Sequence, residues 1–205
     1  MLLSLFYLKT GASSFSLEKE EIELPTISIE ADEFKNEVVL GRKVEKQNVN
    51  LYYQSNQKGT ELAAFVKVDQ SSYLKKAYFA IASNNYKQLY FRVNLYTINE
   101  GKPSDRINPT DIIVQTDISE GEITVDLADY NIVVEEDFFI SLEWLQAFGD
   151  GEISENLTFT AALSVTKGTG SMAVREGVQS EWQIVTKRFL GLRPKVGFYL
   201  VAAQP

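Results

Sequence analysis

No histidine and no cysteine occur in this chain of 205 residues. Without histidine there is no Ser-His-Asp or Cys-His catalysis, no histidine-ligated zinc and no ordinary proton shuttle near neutral pH. Without cysteine there are no disulfides and no thiolate metal sites. The redox compartment stays open, because many exported bacterial proteins also lack cysteine. Positive charge is scarce as well: 20 Lys and Arg stand against 28 Asp and Glu, for a formal net charge of -8. An acidic chain repels phosphate backbones, so nucleic acid is not expected as a partner. No apolar run approaches the roughly 18 residues that a transmembrane helix needs.

What is present is the composition of a folded domain. Hydrophobic residues make up 44% and aromatic residues 12%, and a chain of this size buries roughly 70% of the surface its unfolded form exposes, so the core needs no staple. The clearest local signal is Tyr86–Pro103, YKQLYFRVNLYTINEGKP. Leu89, Phe91, Val93 and Leu95 fall on one side, and Tyr90, Arg92, Asn94 and Tyr96 on the other. A period of two is that of a strand buried on one face. Arg92 and Asn94 are therefore expected on a solvated face, and Asn99–Pro103 supplies the turn that stops the strand.

The same pattern recurs along the chain. Leu62, Ala64, Val66 and Val68 alternate, as do Ala77, Phe79 and Ile81, then Ile123, Val125 and Leu127. Phe138, Ile140, Leu142 and Trp144 form another apolar face, opposed by Ser141 and Glu143; Leu157, Phe159, Ala161 and Leu163 follow, and Val196, Phe198, Leu200 and Ala202 close the chain. Turn residues separate these runs, while Ser104–Thr110 reads as a polar loop and Gly168–Trp182 as loop and hairpin. About ten short strands with no convincing amphipathic helix predict an all-β fold, a jelly-roll-like antiparallel β-sandwich. Its domain spans residues 36–205. Residues 1–35 read as the strand-and-linker remnant of an upstream domain, with Pro25 marking an edge or linker. The charged stretch 31–48, with Val38-Val39-Leu40 as an apolar island, reads as a linker or peripheral strand. The N-terminal MLLSLFYLKTGASS is a poor signal peptide, with no basic start, a short apolar run and Lys9 close behind.

Three kinds of candidate chemistry can be named. The densest acid clusters are Glu135-Glu136-Asp137, Asp126 with Asp129, and Glu18-Glu20-Glu21. Two facing carboxyls are what glycoside hydrolysis needs, but Glu135-Glu136-Asp137 sits where a solvated turn belongs. Asp126, Asp129, Asp150 and Glu152 lie near predicted strand ends, where jelly rolls hold structural calcium. The EF-hand spacing is absent, and Gly149–Glu152 is more simply a hairpin turn. Exposed aromatic rings stack on sugars, and Tyr52, Tyr53, Tyr73, Tyr86, Tyr90, Tyr96 and Trp182 are the candidates. Trp144 ends an apolar face and reads as core. Trp182 lies in the polar segment Ser180–Gln183 and is the candidate binding ring, with cover of the sandwich edge as its plainer task. Asn156-Leu157-Thr158 matches a glycosylation sequon of the kind that arises by chance.

Three runs, GTELAAFVKV (Gly59–Val68), Ser72–Ile107 and ITVDLADYNIVVEEDFFISLEWL (Ile123–Leu145), together with the closing GFYLVA (Gly197–Ala202), carry a resemblance. They resemble the C-terminal β-sandwich of bacterial carboxypeptidase-like regulatory domain-containing proteins. FSLEKEEIELPTISI (Phe15–Ile29) is similar to the end of that family's first domain. The likeness spans roughly residues 13–203, is most specific in RVNLYTINEGKP and SLEW, and is loosest over Ala162–Gly177; the upstream regulatory domain is nearly absent. It implies an exported protein of the Gram-negative envelope, placed in the periplasm or at the cell surface. The implied role is a non-catalytic binding or structural module whose partner is a glycan or another envelope protein. It implies no peptidase activity, since the chain offers no zinc ligands with a catalytic glutamate. A carboxylate-dependent glycoside hydrolase and a purely architectural spacer remain the alternatives.

Overall fold

The computed structural model describes residues 34–44, 49–54, 58–148, 158–166, 171–186 and 193–205. In chain order its strands are β1 (Asn36–Gly41), β2 (Val49–Gln54), β3 (Glu61–Val66), β4 (Ser72–Asn84), β5 (Gln88–Asn99), β6 (Lys102–Arg106), β7 (Ile112–Thr116), β8 (Gly121–Asp126), β9 (Val133–Val134), β10 (Phe138–Phe148), β11 (Thr158–Thr166), β12 (Met172–Arg175), β13 (Gln183–Ile184), β14 (Arg193–Val196) and β15 (Phe198–Gln204). No α-helix occurs among the described residues, and Ala128–Tyr130 forms a short 3-10 turn.

The strands build two antiparallel sheets packed as a sandwich, the all-β, jelly-roll-like class expected from the sequence. The eight-stranded sheet runs β1-β15-β4-β11-β14, with β2 on β11 and β8 and β9 on β4. The seven-stranded sheet runs β13-β12-β3-β10-β5-β6, with β7 also on β5. The core lies between them. Leu89, Phe91, Val93 and Leu95 of β5 are buried there with Phe79, Phe198 and Trp144. Trp144 meets Phe91 and Tyr86 edge-on at ring-centroid distances of 5.6 and 5.3 Å, the arrangement aromatic quadrupoles favour.

The crossing from one sheet to the other is fixed at Asn84. Its Oδ1 accepts from the Tyr86 backbone N–H (2.8 Å), and its Nδ2 donates to the carbonyls of Tyr86 (3.1 Å) and Ile118 (2.9 Å). This side-chain turn drives Tyr86 inward, so Tyr86 is a core residue and not an exposed platform.

Several finer expectations are corrected. Among the described residues the strands number fifteen, eight in one sheet and seven in the other, rather than about ten. Lys102–Arg106 is strand, where the turn was expected to run to Pro103 and the polar loop to begin at Ser104: Glu100 (φ 50°) and Gly101 (φ 76°) form a two-residue hairpin turn, and β6 returns along β5. Left-handed φ at both turn positions matches strand twist. Pro103 is accommodated because β6 ends the sheet order, where a missing ladder donor is tolerated. Within the charged stretch, by contrast, the peripheral-strand reading holds: Asn36–Gly41 pairs with β15 at the end of the eight-stranded sheet's order. Arg92 and Asn94 do not lie on a solvated face. Asn94 is buried and Arg92 half-buried, because a second layer of side chains covers the outer face of the seven-stranded sheet.

Candidate functional site

That outer face is built in rows across four strands. Register pairs Arg175 of β12 with Glu61 of β3, Glu61 with Glu143 of β10, and Glu143 with Arg92 of β5. The next row is Ala173, Ala63, Ser141 and Asn94, and the one after it holds Phe65, Phe139 and Tyr96. Two carboxylates directly opposite each other on neighbouring strands repel. Here an arginine flanks each. Arg175 Nε donates to Glu61 Oε2 (2.7 Å) and Arg92 Nη1 to Glu143 Oε2 (3.0 Å). Asn94 Nδ2 bridges the acids, donating to Glu61 Oε1 (2.9 Å) and Glu143 Oε2 (3.2 Å). Tyr96 OH (3.1 Å) and Ser141 Oγ also donate to Glu61. Glu61 is fully buried, and a buried carboxylate is tolerated when paired and bonded in this way.

Trp182 roofs the network. Its ring sits 4.8 Å from the Arg175 guanidinium carbon and meets Tyr96 at 5.5 Å and 70°. Arg175 is held from the far side by the Val178 carbonyl (3.2 Å). Burial, and then the charge of Glu61, push the Tyr96 hydroxyl well above the usual phenol range. At the rim, Asp111 accepts from Arg106 (2.7 Å) and lies 3.4 Å from Arg92 Nε. The Arg106 hydrogen bond, then Arg92, hold its carboxyl below the usual range.

The other sequence candidates scatter. Tyr73 is half-buried and donates to the Ala128 carbonyl (2.6 Å). Tyr90 is half-buried against Phe148. Asp126 accepts from the Ala128 N–H (3.0 Å) and so begins the 3-10 turn, while Asp129 is exposed within it. No group of three acidic side chains placed to hold a metal ion occurs among the described residues. Asp137 accepts from the Val68 N–H (2.8 Å), and Glu135 and Glu136 are exposed in the turn before β10. Asp150, Glu152, Asn156, the acids at 18–21 and the side chains of Tyr52 and Tyr53 lie outside the described residues. Glu61, Glu143, Arg92, Arg175 and Asn94 were missed as a site. Their signal was a charged or amide residue on the second face of each strand: Glu61 opens β3, Arg175 closes β12, and Arg92, Asn94 and Glu143 lie within β5 and β10.

Two cavities flank this face. One of about 450 Å³ is lined by Thr97, Ile98, Ile107, Val133, Val134 and the Glu135–Asp137 turn. The other, of about 290 Å³, opens between the sheets where β1, β14 and β15 approach the end of β3.

A solved structure shares this fold. It is described as the cysteine protease and lectin-like domains of Cwp84, a surface layer associated protein of Clostridium difficile. The match has a TM-score of 0.50 at 11% identity and covers 76% of this chain and 36% of that one. The matched region thus spans about a third of the length of that chain. No family model and no curated protein matches the sequence.

Proposed function

We propose that this chain is a non-catalytic, extracytoplasmic binding module of the bacterial envelope, and that its ligand is a glycan. The observation that carries the reading is the half-buried Trp182 ring, set on the Arg175 guanidinium and flanked in the chain by exposed Ser180, Glu181 and Gln183. An aromatic face with flanking polar groups is the chemistry that recognises sugars. The family resemblance supports placement in a Gram-negative envelope protein, and the fold shared with a chain that includes a lectin-like domain supports the same class of role.

A specific observation bears on the hydrolase alternative. Glu61 and Glu143 are the facing carboxyls that reading needs, yet both are buried and each is held by an arginine. Neither can reach a glycosidic bond or exchange a proton with one. The spacer alternative predicts a flat surface without pockets, against which the two cavities weigh.

A glycan array probed with the whole chain, alongside a pull-down from envelope extract, tests the reading. Specific glycan binding that Trp182→Ala weakens about tenfold or more is the expected result. Empty results on both would overturn it.

A further inference from the structure

Beyond the row that Trp182 roofs, two aromatic rings and three glutamines meet on the outer face of the seven-stranded sheet. Register sets Gln115 of β7 and Gln146 of β10 on either side of Tyr90, and sets Gln88 opposite Phe148. Residues directly opposite share a face, as do Gln88 and Tyr90, two apart on one strand. Phe148 is 45% exposed, Gln115 and Gln146 are exposed, and Gln88 and Tyr90 are half-buried. The rings meet edge-on, at 5.8 Å and 77°, so they form a corner rather than a stack. The Tyr90 hydroxyl donates to Gln88 Oε1 (3.2 Å). The side-chain amides of Gln115 and Gln146 have no partner among the described residues.

A bulge builds this corner. Phe138, Ile140, Leu142 and Trp144 of β10 point into the core, and strict alternation would send Gln146 and Phe148 after them. The register instead skips Leu145: Trp144 pairs with Phe91, and Gln146 with Tyr90. The extra residue turns Ala147 into the core and sets Gln146 and Phe148 outward. Re-aiming side chains is what a bulge does to a strand. The charge of the corner limits what it can take. None of the five side chains is charged at neutral pH, and the neighbouring Arg92 is already paired with Glu143 and Asp111. An anionic ligand finds no cation among them and is repelled by the net -8 of the chain. A wholly apolar ligand would cover the amides without bonding them, at a cost. An uncharged ring with hydroxyls at its edge and C–H groups on its face satisfies both kinds of group.

We infer that the corner formed by Tyr90 and Phe148 binds a neutral hexopyranose unit of a glycan. The C–H face of the sugar stacks on an aromatic ring, and the Gln115 and Gln146 amides, each both donor and acceptor, take its hydroxyls. The inference rests on the binding-module reading above and adds a second sugar position to it. The new position lies about 20 Å along β5 from Tyr96, which Trp182 covers.

Calorimetric titration of the whole chain with cellohexaose, whose equatorial hydroxyls leave C–H faces on every ring, and with an oligogalacturonate of equal length tests it. Cellohexaose should bind at least about tenfold tighter than the acidic sugar, with little dependence on salt. Gln115→Ala combined with Gln146→Ala, both exposed positions, should weaken it about tenfold or more at an unchanged melting temperature, and Phe148→Ala should weaken it similarly. Trp182→Ala should leave a saturable cellohexaose component that these variants remove. No saturable cellohexaose binding, oligogalacturonate binding as tightly, or insensitivity to both corner variants would each overturn the inference. So would a dimer in sedimentation that Phe148→Ala converts to monomer, which would give the face to a second copy of the chain. Glycan binding that Trp182→Ala weakens and the corner variants leave unchanged would sink this site and leave the binding-module reading standing.

Discussion

At the centre of the seven-stranded sheet both faces are covered, and they are covered by different physics. On the inner face, Phe91, Val93, Leu95, Leu142 and Trp144 exclude water by apolar packing alone. On the outer face, the same strands carry Arg92, Asn94, Ser141 and Glu143 into a layer where every partner must be specified. An apolar interior tolerates substitution in proportion to volume lost. A polar one fails when a single member is removed, because the groups left behind are charged and dry. Burial is thus a poor guide to robustness in this sandwich, and the identity of the neighbours is a better one.

The sharpest way to break the comparison is at Glu61. Glu61→Leu leaves the largely covered Arg175 guanidinium without its carboxylate and should cost about 3–5 kcal/mol in denaturant unfolding. Phe91→Ala on the inner face should cost a similar amount through its cavity. The faces part company in the second variant. Adding Arg175→Met to Glu61→Leu should recover most of the loss, whereas no partner change rescues Phe91→Ala. If the double variant is as unstable as Glu61→Leu alone, the row is not coupled as described.

Trp182→Ala probes the roof with a smaller effect. One cation–π contact and one edge-on aromatic contact are removed, for about 1–2 kcal/mol. Melting followed by circular dichroism would register it, and a change within error would mean that Trp182 does not seal the row.

The smallest expected effect is alkaline. Tyr96 has a raised folded-state pKa, so its contribution to stability is complete below the ordinary phenol value of about 10 and is lost as pH rises towards the folded value. Unfolding free energy should therefore decline above about pH 10, by at most about 1.4 kcal/mol per pH unit and less where solvent screens the ring oxygen. Tyr96→Phe should flatten that decline, and an unchanged slope would refute the assignment. Tyr199, stacked on Tyr78 and bonded to Glu122 Oε2 (2.9 Å) on the eight-stranded sheet, is raised by burial and then by Glu122. It adds a component that the Tyr96 variant retains.

The sandwich was legible because alternation is local. Leu89 through Leu95, and Phe138 through Trp144, display their period within a few residues, and period alone assigns them to the core. The outer row was not legible, because its logic is cross-strand. Arg175 and Glu61 lie 114 residues apart, and Arg92 and Glu143 lie 51 apart. Nothing adjacent to Arg92 announces that Glu143 will stand beside it. Alternation also treats the second face of a strand as solvent, and that assumption misplaced Asn94 and Tyr96. Trp182 was identified as a surface aromatic, but the sequence around it does not reveal the guanidinium and phenol beneath.

The four-residue charge row also bears on how the chain finds its correct alignment. A slip of one residue between β3 and β10 would expose the core face and be rejected by hydrophobicity. A slip of two preserves inside and outside, so greasy side chains alone discriminate against it weakly. In the observed register Glu61 faces Glu143, with Arg175 and Arg92 on either flank. Two residues either way, this arrangement is lost and buried charges are left unmatched. The row works as an indexing pin, fixing which of several equally greasy alignments the strands keep.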